Sequence, residues 1–241
     1  MLPILHIGPL AIQTPGLILL LGLWIGISLT ERQAHHHAIP AGKIYNLILW
    51  SAAAGIVAAR LSYIASHFSS FAESPGSIVS LNTALLDPWA GAAGAFLAAL
   101  IYGHRSQLPF WNTLDALTHL LAVFAVASGL SHLASGDAYG APADLPWSIW
   151  LWGAYRHPSQ VYETGAALFI LFALWPQKGF IRPQAPGVRF LTFIALTATA
   201  RLFLEAFRGD STLLTGGLRQ AQLAAWIVLA ACLWGLKKWI K

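Results

Sequence analysis

Charge is what this sequence has least of. Asp, Glu, Lys and Arg make up only 10% of its 241 residues, where a soluble domain carries roughly a quarter. That scarcity excludes an ordinary water-soluble fold. Cysteine is reduced to one residue, Cys232, which excludes an intrachain disulfide and a multi-cysteine metal site; it lies in the last apolar run and is expected to be packing. A basic patch is missing as well. The formal charge is +5, but the Lys and Arg residues are scattered over short segments, so no nucleic-acid partner is expected. No basic segment precedes the first apolar stretch and no small-x-small site follows it, so the first helix is expected to stay in the protein. Tandem repeats and low-complexity tracts are lacking, and residues 1–241 read as a single transmembrane domain.

What is there is hydrocarbon. The sequence is 57% hydrophobic with 11 Trp and a mean hydropathy of +0.63. Seven apolar runs approach the length a bilayer demands, at roughly 9–29, 44–66, 84–103, 113–134, 160–175, 187–206 and 220–236. The expected fold is therefore all-α, a polytopic membrane protein with about seven transmembrane helices, and the lipid bilayer is its first partner. Pro, Gly, His and charge collect in the breaks: 30–43 with His35-His36-His37, 67–83 with Ser74-Pro75-Gly76, the long polar segment 135–159, and 176–186 with three prolines.

Lys and Arg on alternate sides of these runs set an orientation. Arg32, Lys43, Arg105, Lys178, Arg182, Arg189, Lys237, Lys238 and Lys241 fall on one side and only Arg156, Arg208 and Arg219 on the other. Positive charge is retained in the cytoplasm, so the N-terminus is expected outside, the C-terminus inside, and the segment 135–159 facing outward with Asp137 and Asp144. The three adjacent histidines invite a metal reading, but neighbouring side chains do not converge on one ion. A solvated cytoplasmic loop is expected there, and no metal.

The informative residues are the ionisable ones inside the runs: Arg60, Asp115, Glu163, Arg201 and Glu205, in company with His119 and His132. None is cheap to place in a bilayer. Arg201 and Glu205 are four apart and can pair on one helical face, which leaves Arg60 as the expected partner of Asp115 or Glu163. These residues read either as mutually neutralising interhelical pairs or as a polar cavity whose arginines hold a phosphate, for which a guanidinium is the suited donor. A further dense stretch is Arg156-His157-Pro158-Ser159-Gln160-Val161-Tyr162-Glu163. Pro158 sits where a helix can begin without losing a hydrogen bond, and Ser159 can satisfy a free amide. Tyr162 and Glu163 then lie one turn inside the helix, as an interfacial anchor with a paired carboxylate or as part of a site.

His157 to Glu163 resembles the His-Pro-Ser-Gln-Leu-Tyr-Glu signature of the prolipoprotein diacylglyceryl transferase family, with Val161 for Leu. Ile7-Gly8-Pro9 with Pro15-Gly16-Leu17, Gly55 with Ala59 to Tyr63, Phe110-Trp111 through Asp115, Gly136 to Trp147, and Arg201 to Arg208 are similar to further segments of that family in the same order. The resemblance implies a multi-pass enzyme of the bacterial inner (plasma) membrane that works in lipoprotein biosynthesis. Such an enzyme moves a diacylglyceryl group from phosphatidylglycerol to the lipobox cysteine thiol of a prolipoprotein signal peptide and needs no cofactor. The sequence also departs from the family pattern. Trp89-Ala90-Gly91 stands for its His-Gly-Gly, and in its Arg-x-Gly-Asn-x-x-Asn-Gly-Glu segment Gly129 replaces the arginine, His132 and Ser135 the asparagines, and Asp137 the glutamate.

On this resemblance the phosphate is expected near Arg201 and Arg60, with Glu205, Arg156, Tyr162 and Gly140 completing the substrate-binding set. The thiol has to lose its proton, and His132, able to titrate near neutrality, is the expected base. Asp137 stands in for the family's glutamate, and Glu163 is expected to orient Arg60 or His157. The alternative is a relative without the transfer chemistry that acts as a lipid-binding or accessory membrane protein. A transporter is the weaker third reading, because no pair of broken helices repeats in the two halves.

Overall fold

The structure, a computed structural model, describes residues 4–7, 10–37, 39–73, 75–79, 85–175, 179, 181, 185–214 and 216–237. Gly8, Pro9, Ser74, Lys178, Arg182, Lys238 and Lys241, named above, lie outside the described residues, as do two of the three prolines in 176–186. Among the described residues eight α-helices dominate: α1 (Thr14–Ala34), α2 (Ala41–Ser66), α3 (Phe68–Glu73), α4 (Pro88–Arg105), α5 (Phe110–Ser135), α6 (Ser159–Ala173), α7 (Val188–Leu204) and α8 (Gln220–Lys237). Five segments, α1, α2, α5, Val188–Phe207 and α8, are long and apolar enough to cross a membrane, so this is a multi-pass membrane protein. The other two apolar runs also form helices. One of them, α6, is only 15 residues long, and α4 is rich in Gly and Ala and closes on His104-Arg105.

The fold is mostly helical rather than all-α. Two short antiparallel hairpins interrupt it, β1 (Ile4–Ile7) with β2 (Leu10–Gln13) and β3 (Ile149–Leu151) with β4 (Ala154–Arg156). In the second, Ile149-Trp150-Leu151 and Ala154-Tyr155-Arg156 flank Trp152-Gly153, a two-residue turn in which both residues have positive φ (52° and 76°), the geometry that suits a hairpin's twist. The strand signal of aromatic and branched residues around a glycine is hard to see in a sequence that is apolar throughout. The first hairpin also moves the start of α1 to Thr14, with Pro15 in the first turn where its missing N–H is harmless.

Two compact units make up the chain, residues 34–113 and residues 1–33 with 114–241. In the first, α2 and α4 pack through small residues: Ala54, Ala58 and Ala59 meet Gly91 and Gly94, close enough that a methyl group on Gly94 would sit 2.4 Å from that of Ala58. Such faces let helices approach where no hydrophobic effect drives them together. One residue before α4, Asp87 accepts from the amides of Trp89 (2.9 Å) and Ala90 (3.3 Å) and from Ser62 Oγ (2.7 Å). The Ser62 hydroxyl first, and then the Ala90 amide, hold its carboxyl below the usual carboxylate range.

In the second unit, α5 is the central support. It meets α1 where Ala127 and Leu120 face Gly22 and Gly26, and α6 where Thr164 faces Gly129. Ala122, Ile170, Leu171, Leu174 and Phe193 form a buried apolar core shared by α5, α6 and α7. Asp115, 4% exposed, accepts from the amides of Gly187 (2.6 Å) and Phe190 (2.9 Å). It thus caps α7 from another helix, satisfying donors that α7 has no local side chain to meet.

Candidate active site

The densest polar chemistry in the chain gathers around Glu163, in the second turn of α6. Its Oε1 accepts from Arg208 Nη1 at 2.6 Å and from Arg201 Nη1 at 3.0 Å, and its Oε2 lies 3.6 Å from His132 Nδ1 on α5. Arg201 Nε is 2.9 Å from Glu205 Oε2, one helical turn on. The two remaining faces of the Arg208 fork go to Asp210, Nε to Oδ1 at 2.9 Å and Nη2 to Oδ2 at 2.6 Å. Glu205 is 1% exposed, and its second oxygen accepts from Ser211 Oγ at 2.6 Å. Arg219 donates to the carbonyls of Glu205 and Arg208 and to Ser211 Oγ. Two arginines, Arg201 and Arg208, thus meet three carboxylates, and Arg219 holds the backbone around them. Each carboxylate has a guanidinium partner, which is what low-dielectric surroundings require.

The segment between α5 and α6 seats this cluster. Ser159 Oγ donates to the Ala138 carbonyl (2.6 Å) and Gln160 Nε2 to that of Asp137 (2.9 Å), fixing the start of α6 against the end of α5. Ala141 N donates to Phe207 O and Gly209 N to Tyr139 O, binding the same segment to the end of α7. At Gly140 the chains are so close that a Cβ would lie 2.1 Å from the His157 carbonyl oxygen; only glycine fits. Arg156 stacks on Tyr139 (4.9 Å to the ring centre) and donates to the carbonyls of Gly140 (3.2 Å) and Leu151 (3.0 Å). His157, Tyr162 and Phe207 form an edge-on aromatic trio with centroids 5.1–6.2 Å apart.

A cavity of about 250 Å³ opens beside the cluster. His132, Glu163 and Arg201 line one part of it, and Gly129, Ala166, Ala167, Ile170, Phe193 and Leu204 are among the residues that line the rest. Such a space takes a ligand with an anionic or polar centre and an apolar remainder. Arg201 and His132 each keep 38% of their side chains exposed, against 17% for Glu163, so the arginine and the imidazole are the groups presented to a ligand.

Of the residues singled out in the sequence, His132, Glu163, Arg201 and Glu205 come together, with Tyr162, Arg156 and Gly140 in the surrounding scaffold. Asp137 is exposed, and what ties it in is its backbone. Arg60 does not serve as the partner expected above for Asp115 or Glu163. Its guanidinium donates to the carbonyls of Ser77 (2.5 Å), Ile78 (3.0 Å) and Leu85 (3.1 Å) in its own unit, while Asp115 holds amides and Glu163 holds Arg201 and Arg208. Nor does Glu163 orient His157, which packs against rings. Sequence reasoning missed Arg208, the shortest contact of Glu163, by assigning it to a loop. It lies just past the turn Glu205–Phe207 with extended backbone, so no helical periodicity marks it, and the available signal was its place at the end of the Arg201 to Arg208 segment. Among the described residues no group of three His, Cys, Asp or Glu side chains is arranged to hold a metal ion.

The family profile described as prolipoprotein diacylglyceryl transferase matches residues 3–237. The phosphatidylglycerol–prolipoprotein diacylglyceryl transferase of Synechococcus elongatus is 28% identical over 247 aligned residues, covering 97% of this chain and 85% of that relative. The protein of that name from Thermosynechococcus vestitus is 28% identical, covering 96% and 90%. A third, from Geobacillus kaustophilus, is 27% identical, covering 97% and 91%.

Proposed function

Because the chain belongs to the prolipoprotein diacylglyceryl transferase family, we propose that it carries out diacylglyceryl transfer in the cavity where His132, Glu163 and Arg201 meet. The donor is phosphatidylglycerol and the acceptor the lipobox cysteine thiol of a prolipoprotein. In the reaction the thiolate attacks the glyceryl carbon that bears the phosphoester. A C–S bond forms, the C–O bond breaks, and glycerol phosphate leaves with the electron pair.

Three groups divide this work. His132 takes the thiol proton, and the imidazolium so formed gains an ionic partner in Glu163 Oε2, 3.6 Å away. Arg201 offers its guanidinium to the phosphate, on which charge builds as the C–O bond breaks; Glu163 and Glu205 hold it from two sides. Glu205 is thus a positioning residue. The apolar part of the cavity takes the glyceryl and the first carbons of the acyl chains. Asp137 is assigned to the side from which the acceptor arrives, since its carboxylate is exposed. Arg156, Tyr162 and Gly140 act through the shape of the scaffold, and the phosphate role rests on Arg201 rather than Arg60. The observation that carries the reading is the juxtaposition of a titratable imidazole and a doubly held arginine at one apolar cavity.

We read the helices as seven spans of one transmembrane domain in a bacterial inner membrane, with the N-terminus outside and the C-terminus in the cytoplasm. Nine Lys and Arg on one side against three on the other support this orientation. It turns the ends of α5 and α7, and with them the cavity's polar groups, toward the outer leaflet.

Purified protein is to be given labelled phosphatidylglycerol and a lipobox peptide, with His132→Ala and Arg201→Ala alongside the parent. Transfer by the parent and its loss in both variants is the expected result. Lipid binding by the parent without transfer to thiol would sink the proposal and leave a lipid-binding relative.

A further inference from the structure

The run Leu145-Pro146-Trp147-Ser148-Ile149-Trp150-Leu151-Trp152-Gly153-Ala154-Tyr155 holds no charged residue, between Asp144 and Arg156. It folds as the β3–β4 hairpin and its approach, and it turns its largest side chains outward: Trp147 is 58% exposed, Trp150 64%, Trp152 64% and Tyr155 55%. Trp150 and Tyr155 are cross-strand partners on one face, edge to face at 5.1 Å, while Leu151 between the tryptophans is buried behind them. Trp152 occupies the hairpin tip at φ 52°, a conformation that is costly for a bulky residue and in such turns is usually left to Asn, Asp or Gly. A strained tryptophan at a tip is an outlier that asks for a function.

The fold fixes the height of this arm. Trp152 Nε1 donates to the carbonyl of Gly136, directly after α5, and Trp147 Nε1 donates to Tyr162 Oη in the first turn of α6. The segment that carries the arm is also bonded to Phe207, where the α7 span ends. The arm therefore stands at the level where two membrane-crossing helices stop. It cannot sink into the hydrocarbon, because no strand covers the outer side of β3 and its edge amides and carbonyls need water or headgroups, whereas β4 is bonded on its outer side to the segment 141–143. Nor is a charge-free array of four exposed aromatic rings suited to open water. Indole and phenol rings fit the zone between the two.

We propose that the β3–β4 hairpin is a membrane-interface arm that lays Trp150, Trp152 and Tyr155 into the glycerol and headgroup zone of the bilayer. The occupant of this surface is the lipid interface. Since the same segment pins the first turn of α6, the arm sets the depth at which Glu163 and Arg208 stand relative to the lipid headgroups. The inference does not depend on the transfer reaction.

The test uses full-length protein in phosphatidylglycerol-containing nanodiscs, with Cys232→Ser as background and Trp150→Cys, Trp152→Cys or Asp144→Cys carrying one nitroxide label each. Each hairpin variant leaves the other aromatic residues of the arm in place. Collisional relaxation by oxygen, which concentrates in lipid, is compared with that by a water-soluble nickel chelate. The oxygen-to-nickel ratio at positions 150 and 152 is expected to exceed that at position 144 several-fold, with no lipobox peptide present. Quenching of intrinsic fluorescence by lipids brominated near the headgroup is expected to fall in Trp150→Phe relative to the parent, which checks the placement without a label. Equal ratios at all three positions overturn the proposal. So does protection at 150 and 152 that appears only when peptide is added, which would make the surface a peptide dock. Dipolar broadening that vanishes on dilution with unlabelled protein would make it a contact between copies and overturn it equally.

Discussion

Glu163 carries two arginines on a single oxygen and turns the other toward His132. Its removal is therefore expected to do more than delete one charge. Glu163→Gln leaves Arg201 and Arg208 close together with a weaker acceptor between them, and it takes away the ionic partner of protonated His132. Transfer by this variant is expected to fall, because Arg201 loses a charged partner that aims it and the imidazolium formed at His132 loses its ionic neighbour; the rate of labelled transfer compared with the parent at one pH checks it. His132→Ala is expected to lower the rate by about 10²–10⁴-fold, the usual worth of a positioned base, with lipid binding retained in an equilibrium assay. Gly129 is a second residue-scale case. A methyl group there would sit 2.4 Å from Thr164 Oγ1 and 3.1 Å from Thr164 Cα, so Gly129→Ala is expected to cost about 1–3 kcal/mol by overpacking. Thermal unfolding in detergent checks it, and Thr164→Ala in the same chain should recover only part, because the backbone contact remains. The sequence showed that Gly129 stands where the family has an arginine; it could not show that α6 closes the space a side chain would need. It did show the Arg201–Glu205 pair, because a spacing of four is local. The ties of Arg208 to Glu163 and of Asp115 to α7 join residues far apart in the chain, and no local pattern reports them.

At the scale of elements, helix ends decide more than helix centres. α7 begins on a glycine with no capping side chain of its own, and Asp115 supplies the cap across 72 residues of sequence. Asp115→Ala should strand two amides at about 1–3 kcal/mol each, readable as a lowered melting temperature, and Asp115→Asn should recover part of that loss through its remaining carbonyl. α4 begins on Asp87, whose carboxyl is held low by Ser62 and the Ala90 amide. The folded protein therefore releases this proton more readily than the unfolded chain. The resulting stabilisation is present above the ordinary aspartate pKa, near 3.9, and is lost as pH falls through the folded value. Asp87→Asn should remove that slope from melting temperatures measured at descending pH. All seven apolar runs became helices, since run length and hydropathy are properties a bilayer reads directly. Their starts moved where a cap or a hairpin intervened, at Thr14 and at Pro88. The two hairpins were illegible for the reason that makes the helices legible: in a chain this apolar, alternation has no polar phase to stand out against.

For the molecule as a whole, the pairing of Glu163 with arginines made later in the chain has a consequence in time. Glu163 is made first. Its partners Arg201 and Arg208 follow 38 and 45 residues later, which at roughly 5–20 residues per second is a wait of about 2–9 s. During that interval α6 carries a carboxylate with neither guanidinium available. In the seven-span arrangement proposed above, a 15-residue helix in that condition has to remain in the insertion machinery, or cross with its carboxyl protonated, until α7 arrives. Nascent chains stalled shortly before Arg201 should then leave α6 extractable by alkaline carbonate, while chains stalled well beyond Arg208 should hold it. The ion cluster is in this sense a clasp fastened last during biogenesis, and a defect in it is expected to appear as failed assembly in the cell even where the purified protein retains lipid binding.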